Sequence, residues 1–197
     1  MSRTRIAVLV SGGGRSLENL AERIGAGELD AEIALVACNV PTAFAIERAQ
    51  RLGLPVRVLD HKGFATPADF SAAIFDAVES SGAELVVLAG FLRLLLVPER
   101  WAGRVINIHP SLLPRHGGKG FYGERVHRAV LAAGDRESGC TVHYVTNEYD
   151  KGSVLVQRRV PVLPGDDEHT LGARVFEEEK LALPDAIALH LQRRAAH

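Results

Sequence analysis

One feature limits this chain's fold more than any other: short β-branched apolar runs alternate with helix-period segments, and glycines separate them. Ile6-Ala-Val-Leu-Val10 reads as a fully buried strand, closed by Ser11-Gly12-Gly13-Gly14. Leu17, Leu20, Ala21 and Ile24 then fall on one helical face, which ends near Gly25 and Gly27. The rhythm repeats. Glu32 to Cys38 predicts a strand, Thr42 to Leu52 a helix with Gly53 beyond its end, and Val56 to Leu59 a short strand. Thr66-Pro67-Ala68-Asp69 carries the cap, the N1 proline and the first-turn acid of a helix that runs to Gly82. Leu85 to Ala89 and Val105 to Ile108 predict further strands. Such alternation means βαβ units: an α/β, Rossmann-like, mostly parallel twisted sheet with helices on both faces. A ligand then sits at the carboxyl ends of the strands. Beyond about residue 110 the pattern changes. Thr141 to Val145 and Val154 to Val162 predict an antiparallel C-terminal extension, followed by a helix from His169 to Leu191 that Pro184 is expected to kink.

Composition narrows the function classes. Lys and Arg total 23 against 24 Asp and Glu, a net charge of -1, which lacks the basic excess that coating nucleic acid requires. The longest apolar run, Leu85 to Leu92, stops at Arg93, too short to span a membrane. Two cysteines, Cys38 and Cys140, are too few for a disulfide framework and suit a cytoplasmic setting. His116, His127 and His143 lack metal-ligand spacing, so no metal site is expected. His127 and His143 read as packing or supporting residues. The expected partners are small molecules, with no nucleic acid and no membrane, and the protein itself a monomer or homodimer.

The loop Ser11-Gly-Gly-Gly-Arg-Ser16 joins a strand to a helix. Glycine lets backbone approach a ligand, and a helix N-terminus offers free N–H groups to an anion, so a phosphate is the natural guest. A dinucleotide fingerprint does not fit: Leu17 stands where a third glycine belongs, and Asn39-Val40-Pro41 offers no acid for a ribose. Nor does a P-loop occur, since Gly118-Lys119 is followed by Gly120. A tight turn without a ligand is the competing reading.

Asn107-Ile108-His109-Pro110 follows a predicted strand, and a spacing of two puts Asn107 and His109 on one face. An amide donor beside an imidazole suits a developing oxyanion. Downstream, Tyr149-Asp150-Lys151-Gly152 offers a carboxylate expected to raise the pKa of His109 and fix its tautomer. No nucleophilic Ser or Cys motif is present, so the attacking amine or hydroxyl would belong to a substrate. A structural or solvated His109 and a simple turn at Asp150 are the plainer readings.

Val8 to Ser16, Val87 to Arg93, Asn107-Ile-His-Pro-Ser-Leu-Leu-Pro114, Val142 to Val145 and Tyr149 to Gly152 occur in the order seen in folate-dependent formyltransferases, which the chain resembles over nearly its whole length. The resemblance implies transfer of a formyl group from 10-formyltetrahydrofolate to the amine of glycinamide ribonucleotide, without metal or covalent intermediate. It implies Asn107, His109 and Asp150 as the catalytic trio, with Asn107 and His109 stabilising the oxyanion and Asp150 holding His109 suitably protonated. Gly13, Gly14, Arg15 and Ser16 would hold the ribonucleotide phosphate, and Glu179 would contact the ribonucleotide. Phe91, Leu92, Arg93, Leu94 and Leu95 would line the folate pocket, with Thr146, Asn147, Glu148 and Tyr149 closing over the pterin. Leu113-Pro114 is expected to be cis. The whole chain, 1–197, would form one domain, with a phosphate-binding half at 1–100 and a catalytic and folate-binding half at 101–197.

Arg15-Ser16 and Asn147 depart from the common pattern, and Arg115 to Arg125 resembles a subfamily with a Gly-Lys-Gly-x-Tyr-Gly loop, either a lid over the ribonucleotide or a solvated loop. The tRNA-directed relatives carry an additional RNA-binding domain, and the deformylases an N-terminal regulatory domain. The length and net charge are expected to leave room for neither. A sugar-nucleotide N-formyltransferase would share the same loop and core. A non-catalytic phosphate-binding module would lack a member of the catalytic trio, and all three residues are present.

Overall fold

The structure, a computed structural model, describes residues 3–195. Its elements are β1 (Thr4–Val10), α1 (Arg15–Gly25), β2 (Ala31–Cys38), α2 (Phe44–Arg51), β3 (Val56–Val58), α3 (Pro67–Ser80), β4 (Leu85–Leu88), β5 (Val105–His109), α4 (Glu124–Ala132), β6 (Glu137–Tyr144), β7 (Val154–Pro161) and α5 (Glu168–Ala195). The strands follow the order β3-β2-β1-β4-β5-β6-β7. β1 pairs in parallel with β2 and β4, and β2 with β3, whereas β6 and β7 are antiparallel. This is the α/β, mostly parallel architecture that the alternating rhythm demands, with the antiparallel addition where the rhythm breaks.

Two compact units are present, Met1–Ile106 and Asn107–His197. The boundary falls within β5, so Asn107, His109 and Asp150 all belong to the second unit.

In the first unit Ile6 to Val10 and Leu85 to Val87 are fully buried, as strands covered on both faces must be. Leu17 and Leu20 of α1 are also fully buried, each contributing about 1.5–3 kcal/mol of burial energy. α3 opens on the expected Thr66 cap, and its first-turn acid completes a capping box: Asp69 N–H donates to Thr66 Oγ1 and Thr66 N–H to Asp69 Oδ2, both at 3.1 Å. α2 starts at Phe44, two residues later than Thr42 predicts. Its cap is tertiary, because Ala45 N–H donates to the Gly12 carbonyl at 3.0 Å and no Thr42 cap is needed.

In the second unit β6 begins at Glu137, earlier than its apolar run implies, because Glu137 to Cys140 pair with Pro161 to Arg158 of β7. Only glycine fits at position 139, where a Cβ would stand 2.0 Å from the Arg158 carbonyl oxygen. α4 is a helix that the loop reading of this region missed. Its Val126, His127 and Val130 are buried, and Val126 and Val130 lie one turn apart. α5 packs on β6, β7 and α4 and runs through Pro184 without a break.

Candidate active site

Asn107 and His109 occupy alternate positions near the carboxyl end of β5, so both side chains leave the same face. Asp150 lies in the loop between β6 and β7, with φ at 55°, a conformation that disfavours side chains other than glycine. Its carboxylate is held at two points. Oδ2 accepts from Gly118 N–H at 2.8 Å and faces His109 Nδ1 at 3.7 Å. Oδ1 faces His143 Nε2 at 3.5 Å.

His143, read from sequence as a supporting residue, joins the cluster directly. Its Nδ1 donates to the Tyr144 carbonyl at 2.9 Å, which leaves Nε2 to accept from Asn107 Nδ2 at 3.1 Å. That bond orients the Asn107 amide and leaves its second N–H for another acceptor. The available signal was positional: His143 lies two residues from Thr141 on β6 and so shares its face.

His109 has only 5% of its side chain exposed, and Asp150 11%. Burial holds the His109 imidazole below its usual range, although the Asp150 charge and the His116 carbonyl oppose the effect. Burial would raise the Asp150 carboxyl, but the two imidazoles it faces, His143 and His109, and the Gly118 N–H it accepts from outweigh that and keep the group below the usual carboxylate range. The arrangement joins an ionised carboxylate to a buried imidazole that is largely neutral at neutral pH. Such a pair can accept a proton and return it.

The turn after β5 is fixed from behind. Thr141 Oγ1 donates to the Ser111 carbonyl at 2.6 Å and accepts from Leu113 N–H at 3.1 Å, while Gln157 Nε2 donates to both Thr141 Oγ1 and the Leu113 carbonyl. Ser111 Oγ donates to the Arg115 carbonyl at 2.7 Å. The Leu113-Pro114 bond is cis, as expected. At Gly152 a Cβ would lie 1.6 Å from the Tyr144 carbonyl oxygen, so the Asp-Lys-Gly motif ends in glycine for steric reasons.

The glycine loop lies in the first unit. α1 starts from Gly14, at φ 73°, without a side-chain cap. Gly12 and Gly13 are exposed, and a Cβ on either would meet nothing within 4 Å. At Gly14 a Cβ would approach the Ala45 Cβ to 2.8 Å. Arg48 Nε donates to the Gly13 carbonyl at 3.0 Å. Ser11 Oγ donates to Asn39 Oδ1 at 2.6 Å and accepts from Leu92 N–H at 2.8 Å, tying this loop to the one after β4. Arg15 is exposed and Ser16 half-buried.

The residues expected to line a folate pocket divide by burial. Phe91 stacks on Phe70, with ring centroids 6.2 Å apart, and Leu95 is buried, so both side chains serve the core of the first unit. Leu92 and Arg93 are exposed and Leu94 half-buried. Thr146 to Tyr149 form an exposed turn in the second unit, where Thr146 Oγ1 accepts from Glu148 N–H at 3.3 Å. Glu179 is half-buried on α5. Its charge bears on Cys140, whose thiol burial chiefly pushes up to about 12. His127 packs against Gly172 of α5. Among the described residues, Glu124, Glu168 and His169 lie close enough to share an ion, but Arg128 already bonds both carboxylates.

The chain belongs to the formyl transferase family, whose model matches residues 4–187. It is 36% identical over 182 residues to the phosphoribosylglycinamide formyltransferase of Haemophilus influenzae, covering 91% of this chain and 84% of that protein. It is 44% identical over 191 residues to the trifunctional purine biosynthetic protein adenosine-3 of Drosophila pseudoobscura pseudoobscura, but spans only 14% of that relative's length against 95% of its own. Among solved structures, glycinamide ribonucleotide transformylase 1 from Symbiobacterium toebii is similar with a TM-score of 0.88 and 36% identity, over 94% of this chain and 86% of that one. No helix among the described residues is long and apolar enough to cross a membrane.

Proposed function

We propose that this chain transfers the formyl group of 10-formyltetrahydrofolate to the amine of glycinamide ribonucleotide. The observation that carries the reading is the pairing of buried His109 with Asp150, beside an Asn107 amide that has an N–H to spare. The substrate amine adds its lone pair to the formyl carbon, and the carbonyl electrons move to oxygen. Asn107 Nδ2–H stabilises that oxyanion. The excess proton of the amine passes to His109 Nδ1, where Asp150 stabilises the imidazolium. Collapse of the intermediate expels N10 of tetrahydrofolate, which takes the proton. His109 Nε2 is committed to the His116 carbonyl at 2.9 Å, so Nδ1 is the nitrogen that works.

The uncapped start of α1 and the open faces of Gly12 and Gly13 suit the ribonucleotide phosphate, held by Gly13, Gly14, Arg15 and Ser16. The exposed residues Leu92, Arg93 and Thr146 to Tyr149 would contact the folate, with Phe91 and Leu95 contributing backbone. Glu179 would contact the ribonucleotide. The same reading places the protein in the cytoplasm, acting on small molecules as a monomer or homodimer, without nucleic acid, membrane or metal. Its two buried free cysteines and balanced charge suit that setting.

The test mixes purified protein with 10-formyltetrahydrofolate and follows loss of the formyl donor with and without glycinamide ribonucleotide. Ribonucleotide-dependent consumption is expected. Loss of formyl at the same rate without the ribonucleotide identifies a hydrolase and overturns the reading.

A further inference from the structure

The segment His116-Gly117-Gly118 touches both members of the His109–Asp150 pair. The His116 carbonyl accepts from His109 Nε2–H at 2.9 Å, and Gly118 N–H donates to Asp150 Oδ2 at 2.8 Å. Gly117, between them, passes so close that a Cβ there would lie 2.4 Å from Leu113 Cδ2 and 3.4 Å from the Asp150 Cβ. A carbonyl can only accept. A neutral His109 bonded to it therefore carries its proton on Nε2 and turns the Nδ1 lone pair toward Asp150.

His116 holds this carbonyl in place from φ 53°, a conformation that a non-glycine residue keeps only when its surroundings impose it. The anchor is visible. His116 Nε2 donates to Asp135 Oδ2 at 2.7 Å, and Arg115 bonds the other carboxylate oxygen. Asp135 has 8% of its side chain exposed and His116 14%, so solvent competes weakly for the bond. The preceding residue is pinned as well, by Arg115 N–H to the Leu112 carbonyl at 3.1 Å.

We propose that Asp135 and His116 are positioning residues: through the His116 ring they hold the 116–118 segment, and that segment fixes both the tautomer of His109 and the carboxylate of Asp150. The proposal rests on the reading of His109 and Asp150 given above and extends it to groups that need not touch substrate. It also gives the start of the glycine-rich 115–125 loop a task other than covering the ribonucleotide.

The test uses the full chain, 15N-labelled at histidine, with the His109 ring nitrogens followed by NMR at pH 8. Wild type is expected to show the Nε2–H tautomer alone. Asp135→Ala should give a mixture with the Nδ1–H form. It should also lower kcat roughly 10–100-fold while KM for both substrates stays within about twofold. Asp135→Asn, which retains an oxygen for His116 Nε2–H, should recover most of the Nε2–H signal. His116→Gly keeps the positive φ accessible but removes the anchor, and should shift the tautomer as Asp135→Ala does. It also supplies the measurement if Asp135→Ala does not fold. A His109 that stays wholly Nε2–H in the folded variants overturns the proposal. A wild-type chain without ribonucleotide-dependent transfer overturns the proposed function instead, and the tautomer shift still decides the positioning.

Discussion

His109 Nδ1 faces Asp150 Oδ2 at 3.7 Å, with both side chains almost wholly buried. The gap is wider than a direct hydrogen bond. With Nε2–H committed to the His116 carbonyl, a neutral His109 presents a lone pair to a carboxylate, and only a proton arriving between them makes the contact favourable. A pair arranged this way favours uptake of a proton between the two side chains.

Replacing His109 with Ala removes the proton acceptor. A fall in kcat of roughly 10²–10⁴-fold is expected, with the variant still folded. Steady-state kinetics alongside circular dichroism check this, and an unchanged kcat would remove His109 from the mechanism.

Asp150→Asn keeps an oxygen for Gly118 N–H but removes the charge that stabilises the His109 imidazolium. The expected loss in kcat is about 10²-fold or more, with KM much less affected. Titrating the His109 ring by NMR offers a second measurement: its pKa should fall further, because the largest opposing influence on it is the Asp150 charge.

Stability should depend on pH through the buried histidines. Burial lowers the pKa of His109, His127 and His190, so each folded group binds a proton less readily than its unfolded counterpart at about 6.5. The unfolded chain therefore binds more protons below that value, and stability falls as pH drops from about 6.5 toward the lowered folded values. Each histidine contributes a slope of at most about 1.4 kcal/mol per pH unit. Urea titrations at a series of pH values from about 7.5 to 5 should show the decline, and His127→Asn should flatten it. Equal stability across that range would contradict the prediction.

Gly13 and Gly14 should respond differently to alanine. Gly14→Ala meets Ala45 at 2.8 Å from a positive φ, and a loss of about 1–3 kcal/mol is expected. Gly13→Ala meets nothing, and stability should hold within about 0.5 kcal/mol. If the loop holds the phosphate, Gly13→Ala nevertheless raises KM for the ribonucleotide, and an unaltered KM would leave the loop as a turn.

Gly152→Ala should destabilise by about 2–4 kcal/mol, because its Cβ would lie 1.6 Å from the Tyr144 carbonyl oxygen. Since that carbonyl also sets the His143 tautomer, kcat should fall with stability. A denaturant midpoint equal to wild type would show that the β6–β7 turn can move aside.

Much of the fold was legible locally. The capping box at Thr66 and the buried strands β1, β2 and β4 follow from residue type and period, because those properties act over a few neighbouring residues. The errors lie where distant partners decide. α2 starts at Phe44 because Gly12 supplies its cap, and β6 starts at Glu137 because β7 pairs with it there. α4 went unseen beneath a run of glycines. Phe91 and Leu95 are expected at a folate site from motif order alone, and the fold packs their side chains into the core.

The sequence by itself determined the α/β class, the family, and that Asn107 and His109 share a face with Asp150 somewhere downstream. Those properties depend on spacing along one strand and on motifs. Tertiary structure alone decided that His143 orients the Asn107 amide, that Asp150 faces two imidazoles, and that His116, anchored on Asp135, sets which nitrogen of His109 is free. A tautomer depends on which atom lies within about 3 Å of a ring nitrogen, and no local rule of sequence fixes a distance between residues that only folding brings together.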